Sequence, residues 1–261
     1  MAAIKNIIGL LSLLVCAHMS YAQKVKAPFG VGERMEYKVH YGFVNAAEAV
    51  MRIEPSLAKK QNKDCYHIVI EGKSIGMFDL FMRIRDVWGT YLDKDLLVPR
   101  KFYQSIEEGR YRKKETVNFA VPKKQATVNR YDNKKKKWKS PKVFDVPKGT
   151  QDLVSGYYHL RTLNYDKYSR GDTIVTKIFF DEEIFDLKIR YLGKESVKTK
   201  LGKYQAIVFS PIMPKNDLFD GKDSIKIWLS DDGDKIPLKV KAKMFVGAVE
   251  IDIKKYRRGE K

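Results

Sequence analysis

Arg34-Met35-Glu36-Tyr37-Lys38-Val39-His40-Tyr41 alternates charged or polar residues with apolar or aromatic ones at every step. Side chains of an extended strand alternate between faces, so Met35, Tyr37, Val39 and Tyr41 share one face while Glu36, Lys38 and His40 share the other. A helix over the same residues would scatter the apolar set around its circumference. Gly42 to Asn45 reads as a short turn, and Ala46 to Ile53 supplies the return strand of a hairpin.

Outward from this hairpin the two-residue period recurs over Cys65–Glu71, Arg85–Leu92, Arg100–Ile106, Arg112–Ala120, Gln125–Tyr131 and Thr173–Phe180. It continues over Leu187–Tyr191, Tyr204–Pro211, Ser224–Leu229, Leu238–Phe245 and Val249–Tyr256. Turn-forming residues fall between these strands: Asp132-Asn133, Gly193, Gly202, Asp231-Asp232-Gly233-Asp234 and Gly247. Strands in unbroken succession predict an antiparallel meander rather than alternating β and α units.

Two segments depart from the pattern. Ser74 to Met82 carries Ile75, Phe78, Leu80 and Phe81 and reads as a short helix or an apolar loop. Thr150 to Leu163 reads as a helix, with Leu153, Tyr157, Leu160 and Leu163 on one face and Thr150 available as N-cap. It joins two β halves, about 34–131 and 173–256, as a plug or lid. The expected fold is mainly all-β: a single domain over residues 23–261, built as a curved antiparallel sheet or open barrel with one central helix packed against it.

Residues 1–22 read as a signal peptide. Lys5 supplies the positive start, Ile7 to Cys16 the apolar run, and Ser20-Tyr21-Ala22 the small residues ahead of cleavage before Gln23. The run is shorter than the ~20 residues of a membrane span, and no later segment approaches that length, so the mature chain is expected to lack a transmembrane segment. Leu13-Leu14-Val15 before Cys16 lacks the small residue of a lipid-attachment site. With Cys16 removed, Cys65 is the one cysteine left, and an apolar strand around it marks it as a small core residue.

The full chain carries a net charge of +19. That surface favours anionic partners such as lipid headgroups, and export places nucleic acid last among them. Lysines on exposed strand faces also keep a large sheet soluble and block edge-to-edge pairing. The densest patch is Lys134-Lys135-Lys136-Lys137-Trp138, at the tip of a predicted hairpin, where the lysines and Trp138 could rest on an anionic surface. A solvated turn is the plainer reading of the same residues.

Enzymatic motifs do not emerge. His40, His67 and His159 form no metal-ligand spacing, so no metal or cofactor is expected. Ser155 and His159 are four apart on the predicted helix, but no Gly-x-Ser-x-Gly elbow surrounds the serine. Asp231-Asp232-Gly233-Asp234 lacks the alternating ligands and terminal Glu of a calcium loop. The aromatics are the remaining resource: Trp88, Tyr91, Tyr157 and Trp228 either fill the concavity of the sheet or line a pocket for an apolar ligand.

Gly32-Glu33-Arg34-Met35-Glu36-Tyr37-Lys38-Val39, Tyr41-Gly42-Phe43-Val44-Asn45-Ala46-Ala47-Glu48-Ala49 and the central Asp152-Leu153-Val154-Ser155-Gly156-Tyr157-Tyr158-His159-Leu160-Arg161 stand in a telling order. Ile227-Trp228-Leu229-Ser230-Asp231-Asp232, Ile236-Pro237 and Gly247-Ala248-Val249 complete it. In these motifs the chain resembles exported bacterial domain-of-unknown-function family 3108, over nearly the whole length after the leader. The resemblance implies a spiral or partly open all-β barrel with a helix against it, in the periplasm of a Gram-negative bacterium, with secretion as the alternative. It implies no catalytic residues. Arg161, on the otherwise apolar helix, calls for a carboxylate partner such as Asp86 or Asp152; left accessible, it would instead bind an anion.

The expected function is that of a non-catalytic, monomeric binding or scaffold protein in cell-envelope maintenance, holding an apolar or amphiphilic, lipid-like ligand near Trp88, Tyr91, Tyr157, Arg161 and Trp228. The alternative is a structural partner that docks on another envelope protein through a strand edge or the basic hairpin.

Overall fold

The computed structural model describes residues 27–212, 223–245 and 247–261. The leader read over residues 1–22, with Cys16 and the cleavage point before Gln23, lies outside the described residues.

The first half of the chain forms β1 (Arg34–Tyr41), β2 (Val44–Ile53), β3 (Ala58–Lys60), β4 (Lys63–Ser74), helix α1 (Gly76–Phe81), β5 (Arg85–Asp93), β6 (Pro99–Glu108), β7 (Tyr111–Ala120), β8 (Gln125–Asp132), β9 (Lys137–Trp138) and β10 (Lys142–Asp145). Helix α2 (Leu153–Thr162) follows. The second half forms β11 (Thr173–Phe180), β12 (Glu183–Thr199), β13 (Gly202–Pro211), β14 (Ile225–Ser230), β15 (Pro237–Lys243) and β16 (Ala248–Arg257).

All strands belong to one antiparallel sheet, in the order β10-β8-β7-β6-β5-β4-β2-β1-β16-β15-β14-β13-β12-β11, with β3 and β9 attached to β4 and β8. Each half is a meander. The halves join where the first strand pairs with the last, from Arg34 opposite Arg257 to Tyr41 opposite Val249. The two sheet edges are therefore β10 and β11, which are neighbours in sequence. The residues between them must cross from one edge to the other, and α2 forms within that crossing.

The crossing draws the edges together without a β10–β11 ladder among the described residues. Gln151 forms an isolated parallel bridge to Ile178 of β11, its N–H donating to the Lys177 carbonyl at 2.9 Å. Phe119 and Phe144 pack on Phe179 at ring separations of 6.1 and 5.5 Å, and Trp88 stacks on Phe180 at 5.9 Å. Lys113, Arg130 and Lys142 reach Asp181 and Glu182 at the β11–β12 turn. The sheet is a partly open barrel sealed by side chains, which agrees with the curved antiparallel sheet read from the alternation.

Burial explains why α2 sits inside. Val154 and Tyr158 join a core cluster with Phe29, Met35, Tyr37 and Phe102. Leu160 joins a second cluster with Tyr165, Tyr191, Ile207 and Phe209. Removing such side chains from water contributes ~25 cal/mol per Å² of apolar area. At Gly156 an added Cβ would lie 2.6 Å from Ile178 Cδ1, so glycine there permits close contact with β11.

Three expectations are corrected. The N-cap of α2 is Asp152, not Thr150: Asp152 Oδ1 accepts from the Ser155 N–H at 2.7 Å, and Ser155 Oγ accepts from the Asp152 N–H at 2.9 Å. This reciprocal box outcompetes Thr150, whose hydroxyl donates to the Pro147 carbonyl and whose successor Gln151 is held extended by β11. Gly193 is not a turn between strands. With φ of 95° it marks a bulge inside β12, which runs on to Thr199 and bends there instead of ending. Arg161 does not pair with Asp86 or Asp152, as described next.

Candidate functional site

Arg161 lies in the last turn of α2, fully buried, and its carboxylate is Glu33, immediately ahead of β1. The guanidinium donates to both Glu33 oxygens at 2.7 and 2.8 Å, and to the Asp234 carbonyl from Nη2 at 2.9 Å. The rings of Phe29 and Tyr158 lie 5.2 and 5.1 Å from it. Burial alone would lower the Arg161 pKa, but the Glu33 carboxylate more than reverses this, so the guanidinium stays charged. Burial also pushes up the phenols of Tyr37 and Tyr158. Asp86 is engaged elsewhere, accepting from the Glu107 N–H at 3.0 Å.

Asp152 anchors the other end of α2. Its Oδ2 accepts from the Thr90 hydroxyl of β5 at 2.6 Å, and burial raises its pKa to about 6. Helix α2 is thereby fixed at both ends, to β5 at its start and to the β1 side at its finish. Ser155 Oγ, one half of the Ser155/His159 pair, is committed to the cap.

The other predicted ligand contacts do not converge on one pocket. Trp88 is half-buried against Phe102 and Phe180, inside the first core cluster's margin. Tyr91, an odd number of residues along the same strand, faces the other way, stacked on His67 at 4.2 Å with Lys60 over its ring. Tyr157 is half-buried on α2 four residues before Arg161, where its ring meets Tyr158. Trp228 is buried and its indole N–H donates to Glu195 at 2.8 Å. Only Tyr157 and Arg161 are neighbours.

The basic hairpin is exposed as drawn from the sequence. Asp132 Oδ1 accepts from the N–H groups of Lys134 and Lys135, fixing the turn, and Trp138 packs edge-on against Tyr131 at 5.5 Å. Lys134, Lys135, Lys136 and Lys137 project into solvent.

An open groove of about 420 Å³ runs over β1, β2, β4 and β5, lined by Arg34, Glu36, Glu48, Glu71, Arg85 and Asp86. Among the described residues no group of three His, Cys, Asp or Glu side chains could hold a metal ion, and no helix is long and apolar enough to cross a membrane. Asp232 closes its own turn by accepting from the N–H groups of Asp234 and Lys235. Burial pushes the Cys65 thiol up to about 11, which keeps it protonated and unreactive.

The family model for a protein of unknown function, DUF3108, matches residues 36–254, most of the chain and all but the ends of its sheet. The chain belongs to the DUF3108 family. No curated protein matches this DUF3108 chain. Among solved structures it is similar to a β-barrel-like protein of domain of unknown function DUF1849 from Brucella abortus, with a TM-score of 0.56 at 10% identity over 89% of this chain and 99% of that one. More distant is a protein of Parabacteroides distasonis assigned as a lipoprotein, with a TM-score of 0.37 at 9% identity over 90% of this chain and 100% of that one. A Bacteroides fragilis protein with a YmcC-like fold, assigned as exported, has a TM-score of 0.35 at 7% identity over 88% of this chain and 98% of that one. The first of these supports the barrel-like fold of this DUF3108 chain.

Sequence reasoning missed Glu33, Thr90, Asp181 and Glu182, which hold the helix and seal the barrel. Glu33 stands within the motif Gly32-Glu33-Arg34 beside a strand, and a carboxylate at a strand entry is a faint signal for a buried partner elsewhere.

Proposed function

We propose that this protein is an exported, non-catalytic scaffold of the Gram-negative cell envelope that works by docking through its outer surface. The observation that carries the reading is the occupancy of the concavity. Helix α2, held by Asp152–Thr90 and Arg161–Glu33, fills the space in which a carrier would hold its cargo. The aromatics expected to line a ligand pocket are divided between core packing and the outer face. The leader sequence supports export, and the excess of lysine supports acidic partners.

Native mass spectrometry of the protein purified from its host's periplasm tests this. The expected species is the chain alone or with a stoichiometric protein partner. A lipid retained through gel filtration in a defined ratio would overturn the docking reading in favour of a carrier.

A further inference from the structure

The two mouths of the barrel differ sharply in chemistry. Because the sheet is a meander, β1, β4, β6, β8, β11, β13 and β15 all end at one mouth, and β2, β5, β7, β12, β14 and β16 end at the other. Among the described residues, the exposed large apolar side chains other than Leu96, Val143 and Val175 belong to the first mouth. Scattered exposure is ordinary, but one-sided exposure of this kind marks an interaction surface.

The most prominent part combines α1 with two hairpin tips. Phe43 at the β1–β2 turn is fully exposed, Leu80 and Phe81 on α1 are each 84% exposed, and Phe245 at the β15–β16 turn is 64% exposed. Their base is fixed. Phe78 packs on Tyr41 at 6.4 Å, Asp79 is held by Arg85 and Ser74 at 2.6 and 2.5 Å, and the Gly42 N–H donates to the Ala248 carbonyl at 3.1 Å. The helix therefore turns its polar residue and one aromatic inward, and presents Met77, Leu80 and Phe81 outward.

Charge on the same mouth is one-sided as well. Most of its carboxylates are taken up, Asp79 by Arg85, Glu107 by Arg112, Asp181 by Lys113 and Glu182 by Lys142, while the exposed Glu108 and Glu183 form no ion pair among the described residues and are outnumbered by the cations that follow. Arg83, Arg110, Lys243 and the four lysines Lys134–Lys137 are exposed and form no ion pair among the described residues. Apolar side chains on short turns, interspersed with unpaired cations around a single rim, complement a flat anionic interface with an apolar layer beneath it.

From this geometry we infer that the first mouth docks on the anionic phospholipid surface of a membrane, with Phe43, Leu80, Phe81 and Phe245 entering the interface and the lysines resting on phosphates. This rests on the docking reading above and names its partner. The protein binds peripherally, and its attachment weakens as ionic strength rises.

Cosedimentation with phosphatidylcholine vesicles, with and without phosphatidylglycerol, is the test. The purified protein is compared with a triple variant Phe43→Ser, Leu80→Ser, Phe81→Ser and a quadruple variant replacing Lys134 to Lys137 by Ser. The expected result is binding that requires phosphatidylglycerol and falls by at least about tenfold in each variant, with unfolding midpoints unchanged because the altered side chains are exposed. Equal binding to neutral vesicles, or binding unaffected by both sets of substitutions, would overturn the inference. A stoichiometric complex with an envelope protein that the triple variant loses, without vesicle binding by the parent, would overturn the membrane as partner while leaving the docking scaffold standing.

Discussion

Arg161 and Glu33 form a doubly hydrogen-bonded ion pair between residues 128 apart in the chain, with side-chain exposures of 0% and 1%. The pair ties the end of the crossing helix to the strand at which the two halves of the sheet meet. Its charges are removed from water, so its worth lies in the cost of breaking it rather than in net attraction.

Arg161→Ala is accordingly expected to lower unfolding free energy by about 3–5 kcal/mol, because it strands the Glu33 carboxylate in the core. Urea denaturation checks this. The double replacement Arg161→Met with Glu33→Leu should recover most of the loss, whereas a near-normal Arg161→Ala would mean that the pair does not dock the helix.

Asp152 gives the fold a pH signature. Its pKa is raised by burial to about 6 from an ordinary 3.8, so the folded state holds a proton that the unfolded chain has released. The contribution is fully present below about pH 4 and lost as pH rises towards 6, a span of about 3 kcal/mol. Asp79 acts in the opposite direction: Arg85 holds it at about 2, and its contribution disappears as pH falls below its ordinary range. Asp152→Asn keeps a capping side chain and should flatten stability between pH 4 and 6, measured by urea midpoints across that range.

These two latches mark the boundary of what could be read in advance. The strands of the β1–β2 hairpin and the outward meander followed from two-residue alternation, which is a local property. Helix α2 was legible from Leu153, Tyr157 and Leu160, yet its cap was misplaced by two residues because Thr150 and Asp152 are both good caps and the β11 edge decides between them. The partner of Arg161 was not legible, since nothing local links residues 33 and 161. The one-sided mouth was hidden for a similar reason: Phe43 and Leu80 meet through the pairing of β2 with β4, and Phe245 joins them only through the pairing of the first strand with the last.

Sealing of the barrel should depend on Arg130 more than on the exposed acids it meets. Arg130 Nε donates to the buried Glu115 at 2.5 Å, and Gln104 is the other donor to that carboxylate at 2.9 Å. Arg130→Met is expected to destabilise by about 3 kcal/mol, by leaving a buried charge without its cation. Asp181→Asn, at an exposed partner, should cost below about 1 kcal/mol and lose its effect in high salt. Equal effects of the two would contradict the assignment.

Gly89 pairs with Tyr103 across β5 and β6, and the phenol ring lies over the glycine, where an added Cβ would sit 2.3 Å from the Tyr103 ring carbon Cζ. Gly89→Ala should displace that ring, break the 2.9 Å hydrogen bond between Tyr103 and His67, and destabilise by about 1–3 kcal/mol. Urea midpoints and the His67 ring resonances report both changes.

Native-state hydrogen exchange of the α2 amides tests the filled interior most directly. The account predicts that Val154 to Arg161 exchange only through global unfolding, so that added phospholipid changes their protection by no more than it changes global stability. Exchange of α2 through a lower-energy opening that lipid shifts would contradict it, because the helix would then be a movable lid over a ligand site.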